Sequence, residues 1–473
     1  MLVMKFGGTS VGNAERIGTV AKLVKSNQAS RPVVVTSAMT QITNQLEEMA
    51  RLATAQNRKR AIAAKLSALK TVHEEAIAGL KLEPTAEADL REIIQQKIAI
   101  LDNILKSVTS LGELTPRGRD LILSFGERLS VHLVAAALNR EGVPAVAVNA
   151  TDYLITDDNF TDAQPLFTLS KKKAQKLLVP LIENGTVPVV TGFIGATRDG
   201  VTTTLGRGGS DFSATILGYC LDAKEVWIWT DVDGVMTSDP RIVPHARSIA
   251  CMSYEEASEL SYFGAKVIHP RTMTPTAELG IPIVIKNTMN PDHPGTRITP
   301  KGDSTATGAR ALTLMKNLAM ITIQGKGMRG VYGVAARVFD TLAVAHVSVL
   351  FISQASSENN ITIVVEKTDG QVAARALRQA FAAAIRNKRV DLVEYHSGVS
   401  LIAVVGAGMR HHVGIAGKIF TALGDRQINV AAIAQGSSEL NITLVVESDA
   451  DTKALQCIHN ALFTAKNTKG NRL

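Results

Sequence analysis

The C-terminal third of the chain carries one unit twice. Gly325-Lys-Gly-Met-Arg returns as Gly406-Ala-Gly-Met-Arg, and Ile352-Ser-Gln-Ala-Ser-Ser-Glu-Asn-Asn-Ile-Thr returns as Ile433-Ala-Gln-Gly-Ser-Ser-Glu-Leu-Asn-Ile-Thr. Both pairs are offset by 81 positions (325 to 406, 352 to 433), so no gap separates the motifs within a copy. Each copy reads strand, Gly-rich turn, helix, strand, Ser-rich turn, strand, with helices expected over 331–342 and 413–423. A βαββ unit of this kind packs one helix face on a small sheet. Two copies can pair sheet edges or helices to complete a core that neither buries alone.

Ahead of the repeat the texture differs. Short runs at 2–6, 32–37, 143–148, 187–194, 225–230 and 281–286 alternate with longer helical patterns, and several are apolar throughout. Strands buried on both faces of a mostly parallel sheet look like this, which predicts an α/β layered domain. The helical stretch 42–111 contains Glu83-Pro84-Thr85, expected to separate two helices. From Asn290 to Gly308 the composition turns to Asn-Pro-Asp-His-Pro-Gly and Thr-Pro-Lys-Gly-Asp-Ser, and the domain boundary is expected there. A chain of 473 residues is long for one core, which agrees with several domains.

Composition excludes some classes of function. The net charge is +8, but the basic residues are mostly interleaved with acids, and Arg58-Lys59-Arg60 and Lys171-Lys172-Lys173 read as solvated helix faces. With 4% aromatic residues there is little to stack on bases, so nucleic acid is not an expected partner. No run of about 20 uninterrupted apolar residues suggests a membrane span. Cys220, Cys251 and Cys457 are far apart and lack metal-ligand spacing, which fits a reducing cytoplasmic compartment. His269 beside Pro270 reads as structural, and no metal-ligating residue is proposed.

Several segments carry chemistry. Lys5-Phe6-Gly7-Gly8-Thr9-Ser10 puts a lysine at a strand end, then two glycines and two hydroxyls before a helix. Backbone N–H groups there favour an anion, although an ordinary strand-to-helix turn would read the same. Thr202-Thr-Thr-Leu-Gly-Arg207-Gly-Gly-Ser-Asp211 combines three glycines with an arginine able to grip a carboxylate and a helix start at Ser210-Asp211. So much polar equipment points to a site. Ser124-Phe-Gly-Glu127-Arg128 is expected just ahead of a helix over 129–138, and Trp229-Thr230-Asp231-Val-Asp233-Gly234 closes a buried strand where α/β sheets bind ligands. Gly325, Gly327 and Gly330 match a dinucleotide fingerprint, but the second copy has His411 at the third glycine and no acidic residue ends the next strand. A smaller ligand or a plain helix start fits better. No Gly-x-x-x-x-Gly-Lys-Ser/Thr occurs.

In order, Lys5-Phe-Gly-Gly-Thr-Ser-Val, Ser37-Ala-Met-Thr-Gln-Ile-Thr-Asn, Phe125-Gly-Glu-Arg, Thr191-Gly-Phe-Ile-Gly, Gly206-Arg-Gly-Gly-Ser-Asp, Thr230-Asp-Val-Asp-Gly and Phe263-Gly-Ala-Lys resemble the aspartate kinase family. The tandem repeat resembles its two ACT modules, closest to the threonine-responsive branch that includes the kinase half of bifunctional aspartate kinase–homoserine dehydrogenases. The resemblance implies a three-layer amino-acid-kinase fold over 1–295 and ACT (βαββαβ) modules over 311–395 and 396–473. It implies phosphorylation of L-aspartate by ATP with Mg²⁺, the first step towards lysine, threonine and methionine. Lys5 and Asp211 would be catalytic. Thr43, Glu127, Phe193 and Arg207 would hold aspartate, and Gly7, Gly8, Ser10, Thr230, Asp231, Arg241 and Lys266 the nucleotide. Gln354, Asn360, Gln435 and Asn441 would contact an amino-acid effector, threonine ahead of lysine, in a homo-oligomeric dimer or tetramer joined through the ACT modules. The chain departs from the pattern at Met236, where many relatives have tyrosine, which removes a stacking partner near the nucleotide. Alternatives are a kinase of the same fold acting on glutamate, carbamate or a nucleotide, and a non-catalytic amino-acid sensor. Of the residues present, only the kinase half is claimed.

Overall fold

The computed structural model describes residues 1–55, 58–265 and 268–464. The chain divides into two units, Met1–Val235 with Ser248–Tyr254 and Ile268–Gly302, and Met236–Arg247 with Glu255–Val267 and Asp303–Leu473.

In the first unit β1 (Leu2–Phe6) and β2 (Pro32–Thr36) are buried along their whole length, because apolar residues occupy both faces. Between them α1 (Ala14–Ser26) starts at Asn13, whose side chain accepts the Arg16 N–H at 2.9 Å. The stretch expected to hold two helices holds three: α2 (Ile42–Ala53), α3 (Lys59–Gly79) and α4 (Pro84–Leu111). Pro84 opens α4, where its missing N–H has no partner to lose. The chain just after Ala53 carries neither proline nor glycine, so the earlier boundary left no mark in the pattern. Then come α5 (Pro116–Leu123) and α6 (Phe125–Arg140). Phe125-Gly-Glu-Arg, expected ahead of a helix, is in fact the first turn of α6.

Next follow β3 (Ala145–Val148), α7 (Phe167–Glu183) and β4 (Val187–Thr191). The apolar run 187–194 is two strands rather than one. It turns at Phe193, φ 66, into β5 (Ile194–Ala196), which pairs with β6 (Thr202–Thr204) in a separate ribbon. The unit continues through α8 (Gly209–Cys220), β7 (Glu225–Thr230), β8 (Cys251–Ser253), α9 (Tyr254–Tyr262, which runs on into the second unit), α10 (Pro270–Leu279), β9 (Ile283–Asn287) and β10 (Thr296–Thr299). The segment 290–308, expected as linker, therefore contains a strand, and the units separate within it, after Gly302.

The main sheet has the order β3-β4-β2-β1-β7-β9-β10-β8, and every neighbouring pair is parallel except β9 with β10. Helix α6 packs on β2, β3 and β4 with α1 outside it, while α8 packs on β1, β2 and β7 against α7 and α10. Helices thus cover both faces. Residues Pro116–Arg140, spanning α5 and α6, form the one helical stretch among the described residues long and apolar enough to cross a membrane; 78% of its most apolar window is buried inside the protein, where it serves the core.

In the second unit lie β11 (Ala311–Gln324), α11 (Val334–Val344), β12 (Phe351–Gln354), β13 (Asn360–Glu366), α12 (Lys367–Ala380), α13 (Ala382–Arg386) and β14 (Leu392–Val405). The second copy adds α14 (Ile415–Gly424), β15 (Ala432–Gln435), β16 (Asn441–Glu447) and α15 (Asp451–Phe463). Helices α12 and α15 extend the βαββ reading. The sheet is antiparallel, in the order β12-β13-β11-β14-β16-β15, with a separate core under each copy.

The two copies match in their hydrogen bonds. Gly325 N–H donates to Asn359 C=O and Gly406 N–H to Leu440 C=O, both at 2.9 Å. Gly330 N–H donates to the Glu358 carboxylate at 2.9 Å and His411 N–H to the Glu439 carboxylate at 3.0 Å. Gly330 and His411 share a left-handed conformation, φ 68 and 59, so the third glycine of the apparent fingerprint is a turn position. The division expected at 395/396 falls inside β14. Ala311 at the start of β11 pairs with Val405 at the end of β14, so each long strand is shared by both copies.

Candidate active site

The C-terminal ends of the parallel strands open on a cleft of about 980 Å³ within the first unit. Lys5 lies on β1 with only 8% of its surface exposed, and its ammonium pairs with the Asp211 carboxylate in the first turn of α8. That pairing is what allows a lysine in a strand with no polar face. Gly8 abuts the turn after β2: a Cβ there would come within 3.0 Å of the Ala38 carbonyl, and its own C=O accepts the Thr40 hydroxyl at 2.8 Å. The Gly7 N–H is taken by the Trp229 carbonyl at 3.3 Å, and the buried Ser10 hydroxyl meets that of Thr288 at 2.7 Å. Neither Gly7 nor Ser10 lines the cleft, in contrast with Lys5, Gly8 and Thr9.

Glu127 comes from the first turn of α6 and is 3% exposed. One carboxylate oxygen accepts the Ala38 N–H at 3.1 Å; the other is buried with no partner. Burial pushes the Glu127 carboxyl up to about 8, against the pull of the Ala38 N–H and the charge of Lys5. A buried oxygen with an open hydrogen-bond position beside a cleft is a place for a cationic or N–H donor. Thr43, Phe193 and Arg207 line the same cleft, and the Arg207 side chain is exposed. Phe193 is fixed by its N–H bond to the Ser213 hydroxyl at 2.8 Å and by Gly209, whose Cβ would collide with its ring at 2.6 Å.

Thr230 and Asp231 line the cleft as well, with the Thr230 hydroxyl donating to Asp231 at 3.2 Å. Asp233 is structural: it accepts the side-chain amides of Asn287 at 2.8 Å and Asn290 at 3.1 Å. Arg241 belongs to the second unit, where its exposed guanidinium forks onto Asp239. Lys266 lies outside the described residues. Sequence reading missed Glu47, Arg119 and Thr161 on the cleft wall, and gave no role to Asn44 at the end of the Ser37 motif. Arg119 donates to Glu47 at 2.9 Å across a separation that no local motif reveals. Among the described residues no three His, Cys, Asp or Glu side chains gather as a metal cage. The carboxylates of Asp211 and Asp231 are hard oxygen donors of the kind a phosphate-borne Mg²⁺ uses, one or two at a time.

The expected effector residues sit in unequal surroundings. Gln354 and Gln435 are exposed at the ends of β12 and β15. Asn360 accepts the Ala355 N–H at 3.4 Å, whereas the Asn441 amide donates to Glu259 of α9. On the same helix, Glu256 accepts the Ala407 N–H at 2.8 Å. Lys326, the counterpart of Ala407, donates instead to Asp391 at 3.3 Å.

Residues 1–287 match the amino acid kinase family, and 321–381 and 402–462 each match an ACT domain. Aspartokinase 3, chloroplastic, of Arabidopsis thaliana is 37% identical over 98% of this chain and 81% of its own length. The bifunctional aspartokinase/homoserine dehydrogenase 2, chloroplastic, of the same plant is 35% identical over 98% of this chain, which spans 51% of that protein. The chain thus covers about half the length of the bifunctional relatives. Among solved structures, E. coli aspartokinase III in complex with aspartate and ADP matches at 30% identity and a TM-score of 0.81, covering 98% of this chain and 100% of that one. The same enzyme with lysine and aspartate matches at a TM-score of 0.79 and 30% identity, over 98% of this chain and 99% of that one.

Proposed function

This chain belongs to the aspartokinase family, and we propose that it transfers the γ-phosphoryl group of ATP to the side-chain carboxylate of L-aspartate, forming 4-phospho-L-aspartate and ADP. The observation that carries this reading is the cleft joining the Lys5–Asp211 pair to Glu127 and Arg207. A carboxylate acceptor is already ionised at neutral pH, so the protein needs no general base; it must position two anions in line and neutralise their charge. Lys5, held by Asp211, supplies a fixed positive charge to the transferring phosphoryl group. Arg207 takes the α-carboxylate by two parallel N–H bonds, and the unpartnered oxygen of Glu127 takes the α-ammonium. Thr43 and Phe193 close the pocket, with Gly8, Thr230 and Asp231 towards the nucleotide. Mg²⁺ borne on the phosphates would be held by Asp211 and Asp231 and would offset phosphate charge.

Under the same proposal the ACT modules bind an amino-acid effector that inhibits the reaction, threonine ahead of lysine, and the protein is a cytoplasmic homo-oligomer. Support for the modules as joining surfaces is the exposed Ile352 and Ile433 on β12 and β15, strands that the Ser353 hydroxyl, donating to the Ile433 carbonyl, brings together into one apolar patch. An acceptor panel of aspartate, glutamate and carbamate, followed by titration with threonine, lysine and methionine, tests both parts. Turnover of another acceptor in preference to aspartate defeats the first, and indifference to all three amino acids defeats the second.

A further inference from the structure

Asp120 has no surface exposure and points none of its capacity at solvent. It stands on α5, outside the family motifs, and does not itself line the cleft. One carboxylate oxygen accepts two backbone N–H groups, from Thr161 and Thr204, each at 2.9 Å. The other accepts the Thr204 hydroxyl at 2.7 Å. Thr161 and Thr204 both line the cleft. They come from separate segments, and Ala163 N–H donating to the Thr204 carbonyl at 3.0 Å makes a further link between them.

What these segments carry gives the carboxylate its importance. Thr204 ends β6, two residues before the Gly206-Arg207 turn. Gly206 lies in the left-handed region, φ 73, and a Cβ there would stand 2.6 Å from the Asp162 carboxylate. Thr161 is itself left-handed, φ 74, a conformation a β-branched residue holds only when its surroundings dictate it. Asp162 in turn pairs with Arg271 of α10, whose guanidinium also lies 4.7 Å from the Phe212 ring centre and donates to the Ala163 carbonyl at 2.7 Å. The segment bearing Thr161 and the turn bearing Arg207 are therefore fastened together, and Asp120 is the buried acceptor common to both. Charge-assisted bonds from two backbone amides fix main-chain position more tightly than apolar packing does.

We propose that Asp120 is a positioning residue for the acceptor half of the site: through Thr161 and Thr204 it sets the place of the Arg207 turn, and so governs acceptor binding without touching the acceptor. The inference rests on the assignment of Arg207 to the acceptor, and it does not depend on which acceptor that is. Its test uses the full chain carrying Asp120→Asn or Thr204→Val. Asparagine keeps the size of the side chain and can keep its oxygen on the two backbone N–H groups with its amino group on the Thr204 hydroxyl, so it removes the charge that strengthens all three bonds, while valine removes the hydroxyl bond alone and keeps both backbone bonds and the branched shape. Initial rates are measured with the acceptor the wild type uses best, varied at saturating ATP, and then with ATP varied at saturating acceptor.

The expected result is an acceptor KM raised about tenfold in Asp120→Asn, as for turning charge-assisted bonds into neutral ones, and about threefold in Thr204→Val, as for losing a single hydrogen bond, with the ATP KM within about twofold. An ATP KM that climbs in step with the acceptor KM overturns the proposal, since a general loosening of the fold would move both. So does Thr204→Val with wild-type constants, which decides the matter if Asp120→Asn does not fold. A wild type that prefers another acceptor defeats the aspartate assignment and leaves this split readable with that acceptor; a wild type without any acceptor defeats both.

Discussion

Lys5 occupies a strand that has no exposed face, so its charge is tolerable only beside Asp211 and serves a purpose only if something anionic enters the cleft. Lys5→Ala is expected to lower kcat about 10²-fold or more, as for loss of one preorganised charge at a transition state, in a coupled assay of ADP release. Full activity would remove Lys5 from its assigned role. Glu127 gives a pH-dependent signature. Burial raises its carboxyl from 4.5 to about 8, so the native state keeps a proton that the unfolded chain has released. Its stabilising contribution is therefore whole below about 4.5 and is lost as pH rises to about 8. An ammonium arriving beside it reverses the balance and drives the proton off, so aspartate binding at pH 7 should release a proton. Calorimetry in two buffers of different ionisation enthalpy reads that release; buffer-independent heats in the wild type would contradict it, and Glu127→Gln should abolish the effect. Both residues were legible in the sequence through their neighbours. Asp120 was not, because its partners Thr161 and Thr204 lie 41 and 84 positions away.

At the level of elements, α9 stands out because it supplies ligands to the second ACT copy that the first copy finds elsewhere. Asp391 holds the turn at Lys326, and the residue at the matching position before the other long strand is Arg310, which cannot accept a hydrogen bond. Glu256 of α9 takes that place at Ala407, and Glu259 binds Asn441. Since α9 begins at the residue after β8 of the main sheet, a change at the Asn441 turn has a covalent route to that sheet. Glu259→Gln is expected to leave kcat without effector within about twofold and to raise the half-inhibitory effector concentration about tenfold, the scale of one charged hydrogen bond. An unchanged inhibition curve would show the contact to be packing alone. Strands β1, β2 and β7 were readable from their mainly apolar runs, interrupted in β1 by Lys5. The start of α6 was not, because Ser124 makes no cap bond and turns its hydroxyl back to the Leu121 carbonyl, while Phe125 and Glu127 of the first turn are buried.

For the molecule as a whole, each unit has its own hydrophobic core, so ligands of the two should act on separate stabilities. ADP alone at 100 times its Kd should stabilise the first unit by about 2.7 kcal/mol, and the effector should raise the transition of the second. Differential scanning calorimetry with each ligand alone checks this, and one transition moved identically by both would contradict it. The residues alone sufficed for the layered α/β class, the repeat and the chemical character of the Lys5, Glu127, Arg207 and Asp211 positions. Those properties follow from local periodicity, from glycine's backbone freedom and from an ion's need for a partner, all of which act over a few residues. Tertiary structure alone decided that Ser10 turns to Thr288, that the repeats share β11 and β14, and that Asp120 ties two cleft segments together. Each of these depends on which distant polar group meets which when the chain is buried, and burial makes every unmet partner costly without writing its address into the neighbouring sequence.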